Sequence, residues 1–332
     1  MTSLSALLAS MSRDGDQFSI SPTEDWGQGR TLYGGITLAL AAHAVRRAFP
    51  ELPPMRSAQA AFTGPASGPL TIHPAVVSAG KSSAFVGVDS VTAAGVALRA
   101  TFCYGVARNS AFRHVDIPMP DVARPAQCGP FFPTEFTPQF AVQFEARLAG
   151  KHAPLAGIDD PDLLAWIRHR DQDVANDEAG LIALADATPP SATLMFTEAS
   201  PISTMTWSME FLGTDYRNDG WHLIRSKGED VGDGYCSQAM NVWDEHGRPL
   251  IAARQSVSME GYPCRRVEAY LCRSLPVFFK IPSLFSCICK HIFAVSKKRK
   301  HNFATHNLVA KSLLRNLLYG KNYAPDIICI CK

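Results

Sequence analysis

Several groups of residues in this sequence have the types and spacing that could do chemistry, and most fail on inspection. Gly80, Lys81 and Ser82 resemble the end of a phosphate-binding loop, but position 75 is alanine where such a loop needs its first glycine. Gly27, Gln28 and Gly29 are too short a run for a dinucleotide fingerprint and read as a loop. The chain has no G-x-S-x-G elbow and no H-E-x-x-H pair. Cys287, Cys289 and His291, with Cys329 and Cys331, invite a zinc reading, yet a one-residue gap is not the usual two-residue spacing of zinc ligands, so no metal is expected. His43 interrupts an otherwise apolar run and reads as a satisfied core histidine, not a catalytic one.

The elements that could carry a site emerge from composition and patterning. The 332 residues are 46% hydrophobic and 19% charged, which excludes a disordered or coiled-coil chain. Charge is split along the length. Residues 1–262 hold 19 Lys and Arg against 28 Asp and Glu, whereas residues 263–332 hold 13 against 2. An acidic body argues against nucleic acid as its partner, because phosphate binding needs clustered basic groups. Cys103, Cys128 and Cys236 are scattered through the body, which suits a reducing, cytoplasmic setting. The N-terminus has no basic residue before a very short apolar run, so no secretory signal is expected there. No uninterrupted apolar run reaches the roughly 18 residues of a membrane-spanning helix.

From Ile36 to Val45 the sequence is apolar almost all the way round, and such a helix must be enclosed by other structure. Ser57–Gly64, Leu70–Ala79, Ser82–Thr92 and Gly95–Ala107 follow as strands, rich in Val, Thr and Phe and separated by Gly, Pro and Ser. The order then returns. Pro138–Arg147 and Leu163–Arg170 read as strands and Asn176–Ala187 as a helix. Thr204–Gly213, Trp221–Asp230, Gly234–Asp244 and Pro249–Ser258 read as strands, with a hairpin turn at Glu245–Gly247. Helix and four strands, repeated, predict an α+β tandem hotdog: two antiparallel sheets, each wrapped around a central helix and able to pair edge to edge. The expected domains are residues 1–117 and 136–262, joined by a proline-rich linker, 118–135.

At this point the residues resemble a known family. Trp26, then Leu32 to Gly35 at the head of the first helix, then Ser57 to Pro65, are similar to the first half of the acyl-CoA thioesterase II (TesB-like) family. Leu181 to Asp186, Ser203 to Phe211 and Leu250 to Gln255 are similar to its second half and occur in the family's order. The resemblance spans about residues 14–260. It implies hydrolysis of fatty acyl-CoA thioesters, without a metal or redox cofactor, by a water held between an Asp, a Thr and a Gln. Carried over by position, these are Asp186, Thr204 and Gln255. Ser57 to Gln59 stands where the family often carries a histidine, and nothing beyond residue 260 matches it.

The chemistry suits those residue types. A carboxylate desolvated between Leu184 and the Thr188-Pro189-Pro190 turn could act as general base, although Asp186 could equally make only local helix-end hydrogen bonds. Thr204 and Gln255 can orient a water but cannot take its proton; taken singly they read as an ordinary strand residue and an exposed strand polar. Backbone N–H groups at Gly34 and Gly35 could hold the oxyanion, or the two glycines could simply permit tight helix packing. The hotdog hydratase pattern, an Asp with a His five residues on, fails because position 191 is serine.

A catalytically silent acyl-CoA or lipid-binding hotdog protein would share the fold and pocket. It would differ in whether Asp186 lies within one water of Thr204 and Gln255. The fold class further implies a homodimer or higher assembly. Residues 263–332 form a basic, cysteine-rich tail. Lys297 to Lys300 and the amphipathic run Leu308–Leu318 would allow membrane contact, but the abrupt change of composition equally fits a segment foreign to the fold, and no function is assigned to it.

Overall fold

Residues 1–132 and 137–260 are described in this computed structural model of the chain. Helix α1 (Leu4–Ala9) opens it, capped by the Ser3 hydroxyl, which accepts from Ala6 N. Strands β1 (Ser12–Asp14) and β2 (Gln17–Ile20) follow, turning at Gly15, where a φ of 57° requires glycine. A small hairpin, β3 (Gly27–Gln28) and β4 (Thr31–Leu32), leads into α2 (Gly34–Ala48). Between Gly35 and Val45 every residue of α2 except His43 is buried, as the all-round apolar pattern demands. The helix stops at Phe49, one residue before Pro50.

Four strands come next: β5 (Met55–Phe62), β6 (Leu70–Ala79), β7 (Ser83–Thr92) and β8 (Gly95–Gly105). The second half has β9 (Phe144–Leu148), β10 (Asp162–His169) and α3 (Glu178–Ala185). Strands β11 (Ile202–Phe211), β12 (His222–Gly232), β13 (Tyr235–Asp244) and β14 (Pro249–Met259) complete it. The expected turn at Glu245–Gly247 forms: Asp244 Oδ1 accepts from the backbone N–H of His246 and Arg248, and Gly247 has a φ of 85°. Gly80 to Ser82 is the turn between β6 and β7.

The two halves' strands pair edge to edge into a single sheet. Its order is β1-β2-β6-β7-β8-β5-β11-β14-β13-β12-β10-β9, antiparallel throughout. The halves join where β5 pairs with β11, from Thr206 opposite Ala61 to Glu210 opposite Ser57. On either side of that seam the order is the same, so β1 and β2, which the sequence reading passed over, are the counterparts of β9 and β10. Pro138–Arg147, expected as one strand, is not: Gln139–Gln143 is a 3-10 turn, and the strand starts only at Phe144.

Helices α2 and α3 pack on each other, with α2 against β6, β7 and β8 and α3 against β10. One hydrophobic core runs through both halves, from Leu38 and Leu40 to Leu181 and Ile182. The proline-rich segment and Ile117 before it lie against the second half, where Trp166 Nε1 donates to Ala123 O and Trp243 Nε1 to Ile117 O, both at 2.9 Å. The tail features, namely the cysteine pairs, Lys297 to Lys300 and the run Leu308–Leu318, lie outside the described residues.

Candidate active site

Helix α3 ends on Asp186, with φ −101° and ψ 14°, just before Pro189 and Pro190 prevent its continuation. All eight residues of α3 are buried, so its last carboxylate is carried into the interior between the two helices. There Asp186 Oδ2 accepts from Gly35 N at 2.7 Å, at the positive end of α2. Its Oδ1 accepts from Gln255 Nε2, on β14, at 2.6 Å. The structure therefore brings Asp186 and Gln255 into direct contact across 69 residues. Gln255 is only 3% exposed, because its side chain points inward from the strand.

Glycine at position 35 is what makes the contact possible. A Cβ there would stand 2.6 Å from Tyr33 Cε2 and 2.7 Å from Asp186 Cβ. At Gly34 it would stand 2.9 Å from Asp186 Oδ2. Close approach at these glycines is built into the geometry, and the Gly35 amide is already donated to the carboxylate. Tyr33 lies alongside, its hydroxyl donating to Ala183 O at 2.9 Å and its ring stacked on Phe140 at 4.2 Å.

Burial pushes the Asp186 carboxyl up to about 6, against the opposing pull of the Gln255 and Gly35 hydrogen bonds. At pH 7 such a group is about nine-tenths ionised and still basic enough to take a proton. It faces a cavity of about 630 Å³. Gly34, Thr204 and Gln255 also line this space, together with Phe62, Phe132 and Phe196. Apolar side chains beside convergent polar groups are what a small-molecule site needs.

Thr204 shares the cavity, but among the described residues its hydroxyl makes no hydrogen bond to Asp186 or Gln255. Beside it β11 carries a bulge between Thr204 and Thr206, a distortion that re-aims side chains near sites. Three residues were missed at the sequence level. Gln238 Nε2 donates to Gln255 Oε1 at 2.7 Å, and Gln238 Oε1 accepts from Ser191 N at 2.8 Å. Thr188 lines the cavity with its hydroxyl buried and unpartnered among the described residues. Gln238 could have been found, since Cys236, Met240 and Val242 recur at every second position and put position 238 on the same inner face. His43 does not line the cavity; burial, then Arg47, lowers its pKa, with Glu178 and the Leu8 backbone opposing. No cluster of three or more His, Cys, Asp or Glu among the described residues could hold a metal ion.

The description "Acyl-CoA thioesterase N-terminal domain" matches residues 22–105, and "Acyl-CoA thioesterase C-terminal domain" matches residues 119–259. The chain belongs to the acyl-CoA thioesterase family. It is accordingly a thioester hydrolase with the hotdog fold. Among solved structures, a conserved hotdog protein of unknown function from Alicyclobacillus acidocaldarius is 25% identical, with a TM-score of 0.69 over 77% of this chain and 97% of that one. An acyl-CoA thioesterase II, TesB2, from Mycobacterium marinum is 18% identical, with a TM-score of 0.62 over 77% and 98%. A tesB protein from Mycobacterium avium subs paratuberculosis is 15% identical, with a TM-score of 0.65 over 78% and 100%. No curated protein matches the sequence. No helix among the described residues is long and apolar enough to cross a membrane.

Proposed function

We propose that this thioesterase hydrolyses fatty acyl-CoA to free fatty acid and CoA, with Asp186 as general base for the attacking water. The observation that carries the reading is a carboxylate held by Gly35 N and Gln255 Nε2, raised to about 6, and facing a cavity whose wall includes Phe62, Phe132 and Phe196. Asp186 takes a proton from water as the oxygen attacks the thioester carbonyl carbon. The tetrahedral intermediate then expels the CoA sulfur, which receives that proton. Gln255 and Thr204 orient the water, and the positive end of α2 at Gly34 favours both the Asp186 anion and the developing oxyanion. The acyl chain lies along the phenylalanine-lined wall.

The protein acts in the cytoplasm as a homo-oligomer in this reading, and its body does not engage nucleic acid. The test is thiol release by the full chain from a series of acyl-CoAs, beside Asp186→Asn. The expected result is a loss of at least about a hundredfold in kcat with acyl-CoA binding retained. Binding without hydrolysis by the unmodified protein would instead support the silent binder.

A further inference from the structure

Gln238 on β13 is 1% exposed, lies opposite Gln255 in the β13–β14 register, and takes no part in the cavity wall. A buried amide needs partners for both of its ends. Its Oε1 accepts from Ser191 N at 2.8 Å and from Ser191 Oγ at 3.0 Å. Its Nε2 donates to Gln255 Oε1 at 2.7 Å, and Gln255 Nε2 donates in turn to Asp186 Oδ1 at 2.6 Å. The direction of every link is forced. A backbone N–H can only donate, so the Gln238 atom facing Ser191 N must be oxygen. That turns the Gln238 nitrogen toward Gln255, which must answer with oxygen. Gln255 is left with its nitrogen for the carboxylate.

We propose that Gln238, anchored by Ser191, is a positioning residue of the hydrolytic site: it locks the Gln255 amide in the one orientation that presents N–H, and not a carbonyl, to Asp186. The inference rests on the reading of Asp186 as the base and extends it. Without Gln238 the Gln255 amide is free to turn over. A carbonyl oxygen facing the carboxylate favours the protonated acid, and a base that keeps its proton cannot activate water. Tyr33 is the titratable neighbour of Asp186, and its hydroxyl is committed to Ala183 O.

Gln238→Met keeps the side chain's length and removes both polar ends. Two quantities are read on the full chain: the ionisation midpoint of Asp186, by carboxyl-carbon NMR with Asp186→Asn to assign the signal, and the pH profile of thiol release. The midpoint is expected to rise by about one unit. Below the acid limb, kcat/KM then falls about tenfold with KM unchanged, because Gln238 makes no contact with the cavity. Ser191→Ala keeps the backbone donor and is expected to leave the midpoint in place, a split that a purely packing role would not produce.

Should Gln238→Met fail to fold, Gln238→Glu carries the test. While protonated, the new carboxyl donates to Gln255 as the amide did; once ionised it cannot, and thiol release acquires a descending alkaline limb absent from the unmodified protein. An unmoved Asp186 midpoint in folded Gln238→Met, or no added limb in Gln238→Glu, overturns the proposal whatever the activity. A midpoint that rises while thiol release stays unaltered keeps the positioning role and refutes Asp186 as the base.

Discussion

Gly35→Ala sets two opposing effects against each other, and the distances decide between them. Gly35 lies in a helix, where alanine is intrinsically favoured by about 1 kcal/mol. Against this, the added methyl would sit 2.6 Å from Tyr33 Cε2, 2.7 Å from Asp186 Cβ and 3.1 Å from Ala183 O, all inside the 3.4–4 Å of ordinary contact. None of these is the tip of a mobile side chain. Tyr33 is 2% exposed, tied to Ala183 O and stacked on Phe140, while Asp186 is held at both oxygens. Overpacking of this kind costs about 1–3 kcal/mol. Forcing the helices apart also weakens the hydrogen bond from Gly35 N to the carboxylate, worth about 1.5–3 kcal/mol for a charged acceptor. The net expectation is destabilisation of about 2–4 kcal/mol. For a body of this size that corresponds to a Tm lower by about 5–12 °C. Thermal unfolding followed by circular dichroism measures it, with thiol release assayed at a temperature where the variant is folded. A variant as stable as the unmodified protein and fully active would refute the close-approach argument.

Further outcomes follow from the same geometry. Thiol release should show an acid limb near pH 6, set by Asp186, and a limb near pH 4 would mean that another group is the base. His169 and His222 are buried neutral, each lowered from 6.5 to about 4 by desolvation, with His169 adding to the effect at His222. The unfolded chain therefore binds their protons first, so stability is full above pH 6.5 and falls as pH drops toward 4, by on the order of 3 kcal/mol per histidine. Chemical unfolding at neutral and acid pH checks this, and His222→Gln should flatten the acid loss. Arg46 Nη2 pairs with Glu178 Oε1 at 2.5 Å, and the Glu178 side chain is 9% exposed. Arg46→Ala strands that carboxylate and should cost about 2–4 kcal/mol, below the full figure for a buried pair because Arg46 itself is partly exposed; a denaturation midpoint equal to the unmodified protein's would refute it.

Much of this architecture is legible in the sequence. The apolar run Ile36–Val45 and the strands Leu70–Ala79 and Tyr235–Asp244 are marked by period and by flanking Gly and Pro, and they fold where that pattern puts them. β1 has three residues, all exposed, so it carries no alternation to read, and only the later half's order reveals it as the counterpart of β9, at the opposite edge of the sheet. Asp186 and Gln255 were suggested by their order in a family, since nothing local joins residues 69 apart. Gln255 by itself reads as an exposed strand polar, yet it is buried, because a single amide at an inward position is indistinguishable in sequence from a solvated one until its partner is known. The commitment of the Gly35 amide to Asp186 was likewise out of reach, as it depends on how two helix ends meet.

The contact between Gly35 and Asp186 has a consequence for ancestry and engineering. It spans the two halves of the chain: the earlier half supplies the amide and the later half the carboxylate and Gln255. Two identical unlinked copies would have to place the same residues at both of their mirrored helix junctions. Covalent tethering lifts that obligation, and α2 ends on Phe49 where α3 ends on Asp186. In this chain one half is the donor and the other the acceptor. Splitting the chain in the linker and co-expressing the pieces is therefore expected to restore hydrolysis only when unlike halves pair, whereas either half paired with itself lacks the contact between Gly35, Asp186 and Gln255.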